Sequence, residues 1–349
     1  RDSAAHRATG AGSPGPGPGP PGGPGPDSPA GVGLAFAAYG VWGLFPLYFA
    51  LLAGVGPVEV VAHRIVWALV FCAGLLAVAG GRLGAGALRR LTARQFAVLV
   101  LAAVVLSVNW GVFVYAVESG QVVQSSLGYF TNPLVSVVLG VLVLKERLRR
   151  WQWAAVAVAG LAVVVLTVDA GRPPWIALTL AGSFGVYGLL KNRVGRSVGA
   201  LPGMTVETAA LLVPAVAVLA AVHAGLVGDG GGAFGAGVSG GSGMPSGPGM
   251  PSASGPVAVS LLLVGSGPLT AVTLVVFAAA ARRIRLSTLG LIQYVTPVMH
   301  LLLGLLVFGE EMLSGRWLGF GLVWVALVVL TVDSLTTAHR RRTAVAPPA

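Results

Sequence analysis

Charge is what this sequence has least of. Only 9% of its 349 residues are Asp, Glu, Lys or Arg, where a soluble domain carries about 25%. With 55% apolar residues and a mean hydropathy of +0.86, too few charges are available to coat a water-facing surface, so the chain reads as an integral membrane protein. Cysteine is nearly absent. The single one, Cys72, lies in an apolar run, which excludes an internal disulfide and a cysteine-cluster metal site. Lysine is scarce, two of the 22 basic residues against abundant Ala and Gly, which points to a GC-rich genome rather than to a function. Usable nucleotide and nucleophile motifs are missing. Gly17-Pro18-Gly19-Pro20-Pro21-Gly22 fits GxGxxG, but prolines fill it and no strand precedes it. Gly237-Val238-Ser239-Gly240-Gly241 fits GxSxG without the strand-to-helix turn that a nucleophile elbow requires.

What is present is long apolar runs, at about 32–53, 58–79, 95–117, 122–144, 151–168, 174–190, 204–226, 256–280, 286–308 and 316–334. Most approach the roughly 20 residues that a helix needs to cross a bilayer. The first is too long for a signal-peptide core and reads as a retained helix. The net charge of +11 suggests nucleic acid at first sight. The basic residues, however, sit in short clusters between the runs, where membrane topology needs them. With the N-terminus in the cytoplasm, Arg1, Arg7 and the clusters at 82–94, 145–150, 191–196, 282–285 and 340–342 all face inward. That accounts for 19 of the 22 basic residues, all but Arg64, Arg172 and Arg316. This bias predicts both termini in the cytoplasm and supports the count of ten spans. Residues 1–30 are Gly/Pro-rich and read as a disordered cytoplasmic tail. Residues 227–255 read as a flexible extracytoplasmic linker, and 336–349 as a basic cytoplasmic tail. Trp151, Trp153, Trp175 and Trp317 sit at span starts, where aromatic belts form.

Within 125–148 a polar or small stripe, Tyr129, Asn132, Ser136 and Gly140, recurs every three or four residues on one helix face. A shift of 164 carries these positions to Gln293, Thr296, His300 and Gly304. The same shift takes Pro133 to Pro297, Glu146 to Glu310, and Val165-Leu166-Thr167-Val168-Asp169 to Val329-Leu330-Thr331-Val332-Asp333. A second echo, shifted by 145, relates Tyr39-Gly40-Val41-Trp42-Gly43-Leu44 to Phe184-Gly185-Val186-Tyr187-Gly188-Leu189. The expected fold is an all-α membrane protein of ten transmembrane helices, arranged as two five-helix repeats at 31–170 and 171–335. Five is odd, so the second repeat is inverted, the arrangement of alternating-access transporters.

Several segments carry a resemblance: Ala38-Tyr39-Gly40-Val41-Trp42-Gly43, Glu59-Val60-Val61-Ala62-His63-Arg64, Asn109-Trp110, Ser126-Leu127-Gly128-Tyr129-Phe130-Thr131-Asn132-Pro133-Leu134, Leu286-Ser287-Thr288-Leu289-Gly290 and Gln293-Tyr294. In this order they resemble the EamA-type drug/metabolite transporter superfamily, and within it the RarD family of chloramphenicol-resistance permeases. The resemblance implies an inner-membrane protein of two inverted five-helix halves. It also implies a central cavity lined by spans one to four and six to nine, with spans five and ten peripheral. The Gly/Pro tail and the 227–255 linker depart from the family pattern, but both lie outside the membrane.

Candidate cavity residues are Trp42, Asn109, Trp110, Tyr129, Asn132, Ser136, Tyr187, Gln293, Tyr294, Thr296 and His300. The bland alternative is hydrogen-bonding glue between helices. Pro133 and Pro297 each remove a backbone bond mid-span and are hinge candidates or tolerated prolines. His63 and Arg64 enter span two near its outer end. There Arg64 binds an anionic group, closes a gate or snorkels to headgroups. Glu207, near the inner end of span seven, is the leading proton-coupling candidate, with His300 as the alternative. Its plainer role is a helix N-terminal acid. Gly40, Gly43, Gly185 and Gly188 are expected to let helices approach closely.

No ATP-binding motif is present, so energy must come from a gradient or from exchange. The expectation is a secondary transporter exporting small drugs or metabolites, without cofactor, metal or catalytic centre. Its partners are a small-molecule substrate and the bilayer, with the proton as a candidate coupling ion and no nucleic acid. A homodimer is left open. The rivals are a membrane-embedded enzyme, for which no nucleophile or metal cluster is readable, and a non-transporting sensor or scaffold, which would need no polar stripe.

Overall fold

The computed structural model describes residues 28–79, 91–145, 148–194, 198–226, 256–281, 283–284 and 286–345. The Gly/Pro tail up to residue 27, the 227–255 linker, Glu146 and residues 346–349 lie outside the described residues. All regular elements among the described residues are helices: α1 (Pro29–Gly43), α2 (Phe45–Ala50), α3 (Pro57–Ala79), α4 (Ala93–Glu118), α5 (Val122–Leu144), α6 (Arg150–Ala170), α7 (Trp175–Val194), α8 (Ala200–Ala210), α9 (Leu212–His223), α10 (Pro256–Ala281), α11 (Leu286–Ile292), α12 (Val295–Leu306) and α13 (Ser314–Val345). Each of the ten apolar runs falls on one helix or on two in succession. By length and composition eight helical stretches can cross a membrane, and the bent α8–α9 pair makes nine. Trp175–Lys191 of α7 is apolar but shorter.

Helix boundaries follow local chemistry. The Ser28 side chain accepts from Gly31 N (3.0 Å) and Pro29 takes the first helical position, so α1 begins inside the segment read as tail. Thr92 and Gln95 form a capping box at the start of α4. Gly171, with φ 65°, closes α6 in the left-handed region that favours glycine. At the other end of the chain α13 runs on to Val345, so most of the segment read as a C-terminal tail is helical.

Three breaks interrupt the runs, and each lies just before a proline. Pro46, Pro214 and Pro297 have no N–H to offer the carbonyls of Trp42, Ala210 and Gln293. The helices break at Leu44, at Leu211 with a 48° bend, and at 293–294. Pro133 has the same deficit, yet α5 continues through it. The two prolines paired by the 164-residue shift therefore differ: a break precedes Pro297 and none accompanies Pro133.

Packing directions are readable from the contacts. α6 and α13 make the most extensive pair and run antiparallel. Asp169 at the end of α6 lies against Gly315 at the start of α13, while Arg149 before α6 pairs with Asp333 far along α13 at 3.4 Å. α5 and α12 are also antiparallel, with Val123 beside Gly304 and Ser126 Oγ donating to the Pro297 carbonyl at 2.7 Å. α1 runs parallel to α12, and α5 parallel to α7. Without water to drive helices together, close fit at small residues does the work. A side chain on Gly43 would collide with Met299, and one on Gly185 with Val135, whereas Gly40 and Gly188 face open space. α6 and α13 present Val164, Val168, Leu318, Val325 and Val328 outward, a lipid-facing edge. Trp151, Trp153 and Trp317 are exposed at helix starts as expected of a belt, but Trp175 is half-buried and tilts onto Tyr115 at 5.5 Å.

Candidate functional site

The polar side chains converge where α1, α4, α5, α7 and α12 meet. Pro46 leaves the Trp42 carbonyl without its helical donor, and His300 of α12 places Nε2 3.1 Å from that oxygen. One turn earlier Thr296 Oγ1 donates to the Tyr39 carbonyl at 2.7 Å. His300 is buried, stacks on Phe113 (5.3 Å between centroids) and meets the Tyr129 ring edge-on at 5.6 Å. Asn109, also buried, donates through Nδ2 to the Leu180 carbonyl (3.1 Å) and to Ser183 Oγ (2.9 Å). Tyr129 OH reaches Asn109 Oδ1 at 3.4 Å. The stripes of the two repeats thus touch at Tyr129 and His300. His300 Nδ1 is buried there, and Asn132 Oδ1 is buried one turn along α5 from Tyr129, both without hydrogen-bond partners among the described residues.

Arg64 of α3 lies beside this seam with 3% of its surface exposed. Its guanidinium covers the Trp110 ring at 4.0 Å and stands 5.4 Å from both the Phe45 and the Phe49 rings. Nε donates to Thr270 Oγ1 at 2.8 Å, while Nη1 is buried without a partner among the described residues. Thr270 lies about four turns into α10, so the side chain reaches inward from its own backbone and does not snorkel toward the near surface.

Glu207 on α8 is 2% exposed and ion-paired to Lys191 Nζ of α7 at 2.6 Å, with Tyr187 OH 3.3 Å from its second oxygen. It is the eighth residue of α8, beyond the first turn in which a helix N-terminal acid would sit.

Two clefts open beside these groups. One of about 700 Å³ is lined by Val55, Glu59, His63, Trp67, Pro256 and Ser260, among others, at the starts of α3 and α10. The other, about 540 Å³, is lined by Thr92, Phe96, Thr205, Val206 and Ala209, among others, at the start of α4 and along the second half of α8. Because α4 follows α3 in the chain and returns across the bundle, the clefts open at opposite ends.

Some candidates stand apart. Ser136 is exposed, Gln293 is half-buried, and Tyr294 stacks on Phe130 (6.3 Å) and hydrogen-bonds Thr331, facing α13 rather than the seam. Sequence reasoning missed Phe113, Thr270 and Lys191 because their partners are distant in the chain. It also missed the task of Glu310. Beyond the end of α12, this carboxylate accepts from Val122 N and from Val123 N (2.9 Å), capping α5. Burial pushes its pKa up to about 7, against the pull of those two N–H groups and of Arg316. Among the described residues no cluster of three His, Cys, Asp or Glu side chains is placed to hold a metal ion.

Apolar membrane-length helices wrapped around buried hydrogen-bonding and charged side chains define a multi-pass membrane protein with a polar interior. Residues 29–168 match the EamA-like transporter family. The chain is 46% identical over 309 residues to protein RarD of Streptomyces exfoliatus, covering 88% of this chain and 90% of that one. It is 39% identical over 307 residues to an uncharacterized transporter of Pseudomonas aeruginosa, covering 88% and 95%. A solved crystal structure shares the fold at a TM-score of 0.51 and 19% identity, over 87% of this chain and 97% of that one. The chain belongs to the EamA-like transporter family, in its RarD branch.

Proposed function

We propose that the protein is a secondary active transporter that exports small drugs or metabolites across the cytoplasmic membrane by alternating access. The observation that carries this reading is the seam itself. Tyr129 and His300, from symmetric stripes in the two halves, meet in the centre of an apolar bundle, where the buried His300 Nδ1 lacks a partner among the described residues. Unpaired polar groups in hydrocarbon are expensive, and they persist where solute or water takes their free positions at some stage of a cycle.

Two inverted five-helix halves account for the packing. The pairs α3–α10 and α5–α7, each joining a first-half helix to a second-half one, have counterparts in α8–α4 and α12–α1. α5–α12 and α6–α13 each run antiparallel, as mates related by a two-fold axis in the membrane plane must. The clefts follow the same relation. The one at α3 and α10 opens outward, the one at α8 and α4 inward, and both termini are cytoplasmic. Rocking of the halves would open one cleft to the seam at a time. Glu207, beside the inner cleft and joined to Lys191, is the proposed proton-coupling group.

The test is transport in everted vesicles from cells with and without the protein, supplied with an isotope-labelled metabolite extract. A transporter gives protein-dependent accumulation that a pH gradient or a counter-solute drives. Identical uptake in both preparations contradicts it and leaves a sensor or scaffold.

A further inference from the structure

Arg64 carries a positive charge that nothing among the described residues neutralises. The two ion pairs there join Arg149 to Asp333 and Lys191 to Glu207. The surroundings of Arg64 are three aromatic rings and one threonine hydroxyl. Aromatic faces hold a cation in place and return part of its lost hydration. They do not replace a counter-ion, and a buried unpaired charge stays strongly unfavourable. The N–H groups on Nη1 meet no acceptor among the described residues.

We propose that Arg64 is the recognition site for the anionic group of the solute, and that the solute is a small organic anion, a carboxylate or phosphate on a flat apolar body. The inference rests on reading the seam as a solute path. Guanidinium is planar and matches two oxygens of a carboxylate or phosphate in a fork. The body of the ligand is set by the walls next to the charge. Phe49 packs edge-on to Phe113 at 6.0 Å, and Phe113 stacks on His300, so an aromatic surface runs from the guanidinium to the centre of the seam. His300 Nδ1 and Asn132 Oδ1 offer polar positions around it. Arg64 also stands on the helix whose outer end lines the larger cleft through Glu59 and His63. An anion entering there passes an acid before it reaches the cation, which disfavours residence at the mouth and favours the buried position.

The experiment is thermal unfolding of the full chain in detergent with benzoate and phenyl phosphate as probes. Benzamide serves as the neutral counterpart of matching shape, and inorganic phosphate separates a free-anion site from an organic-anion one. Benzoate or phenyl phosphate is expected to raise the unfolding midpoint of the wild type in a saturable way, with benzamide and inorganic phosphate each far weaker. Arg64→Gln is expected to weaken apparent affinity by about tenfold or more, as the loss of a charged hydrogen bond requires, and Arg64→Lys by less. Equal protection by benzamide overturns the proposal, as does equal protection by inorganic phosphate, protection by no aromatic anion, or unchanged affinity in Arg64→Gln. If Arg64→Gln does not fold, the wild-type comparison and Arg64→Lys decide.

Labelled benzoate in sealed vesicles separates the two readings. Arg64-dependent binding without protein-dependent flux keeps the anion site and removes transport. Protein-dependent flux of neutral metabolites that survives Arg64→Gln keeps transport and removes the anion site.

Discussion

Replacing Lys191 by Met tests the joint between α7 and α8. In the wild type Glu207 is 2% exposed, accepts from Lys191 Nζ at 2.6 Å and has Tyr187 OH at 3.3 Å. Lys191→Met keeps the length of the side chain but strands the carboxylate in an apolar wall. Breaking a buried pair from one side costs about 3–5 kcal/mol. Lys191 is 29% exposed and Tyr187 remains, so the lower end applies, about 3 kcal/mol or on the order of a hundredfold in the folding equilibrium. Glu207→Gln leaves the ammonium a route to water and should be milder, at about 1–2 kcal/mol. The double substitution removes both charges and should recover much of the loss, a coupling that a double-mutant cycle isolates. The assay is reversible unfolding of the purified protein in mixed micelles, read for all four variants. Additive losses, or a Lys191→Met variant as stable as wild type, would refute the pair as a structural joint.

Further outcomes follow from the same geometry. Glu207→Gln is expected to abolish pH-gradient-driven flux in vesicles while leaving exchange, and normal gradient-driven flux would remove its coupling role. Glu310 titrates near 7 rather than near 4.5 because burial disfavours its charge. Its contribution to stability is therefore full below about 4.5 and lost as pH rises through about 7. Unfolding midpoints between pH 5 and 9 should show that loss in the wild type and a flatter profile in Glu310→Gln, whereas equal slopes contradict it. Gly267→Ala drives a methyl into the Trp67–Ala68 backbone and should destabilise by about 1–3 kcal/mol. Gly40→Ala meets nothing within 4 Å and should be near neutral by the same unfolding assay.

Much of the helical plan was legible because membrane spans announce themselves by length and apolarity, and the 164-residue echo brought Tyr129 and His300 into one argument before either was seen in contact. Helix breaks were harder. Pro46, Pro133, Pro214, Pro268 and Pro297 all lack the same donor, yet α5 and α10 run on unbroken through theirs. Which carbonyl finds another partner, as Trp42 does in His300, is settled by packing from elsewhere in the chain. Side-chain direction was equally hidden. Tyr294 has seam-like neighbours in sequence but turns to Phe130 and Thr331, and Ser136 keeps the helical spacing of its stripe while standing exposed. Arg64 near a helix start suggests snorkelling until Thr270 and Trp110 show where the guanidinium goes. The partner of Glu207 sits 16 residues away on another helix, beyond the reach of any local spacing rule.

The inverted arrangement requires the two clefts to open on opposite faces of the membrane. It is tested most directly by cysteine accessibility in intact cells, in a background where the buried Cys72 is replaced by Ala. Ser260→Cys lines the cleft at α3 and α10, and Ala209→Cys the cleft at α4 and α8. A membrane-impermeant thiol reagent added outside should label Ser260→Cys at once and Ala209→Cys only after permeabilisation. Labelling of both positions from the same side would contradict the inverted arrangement and the alternating access built on it.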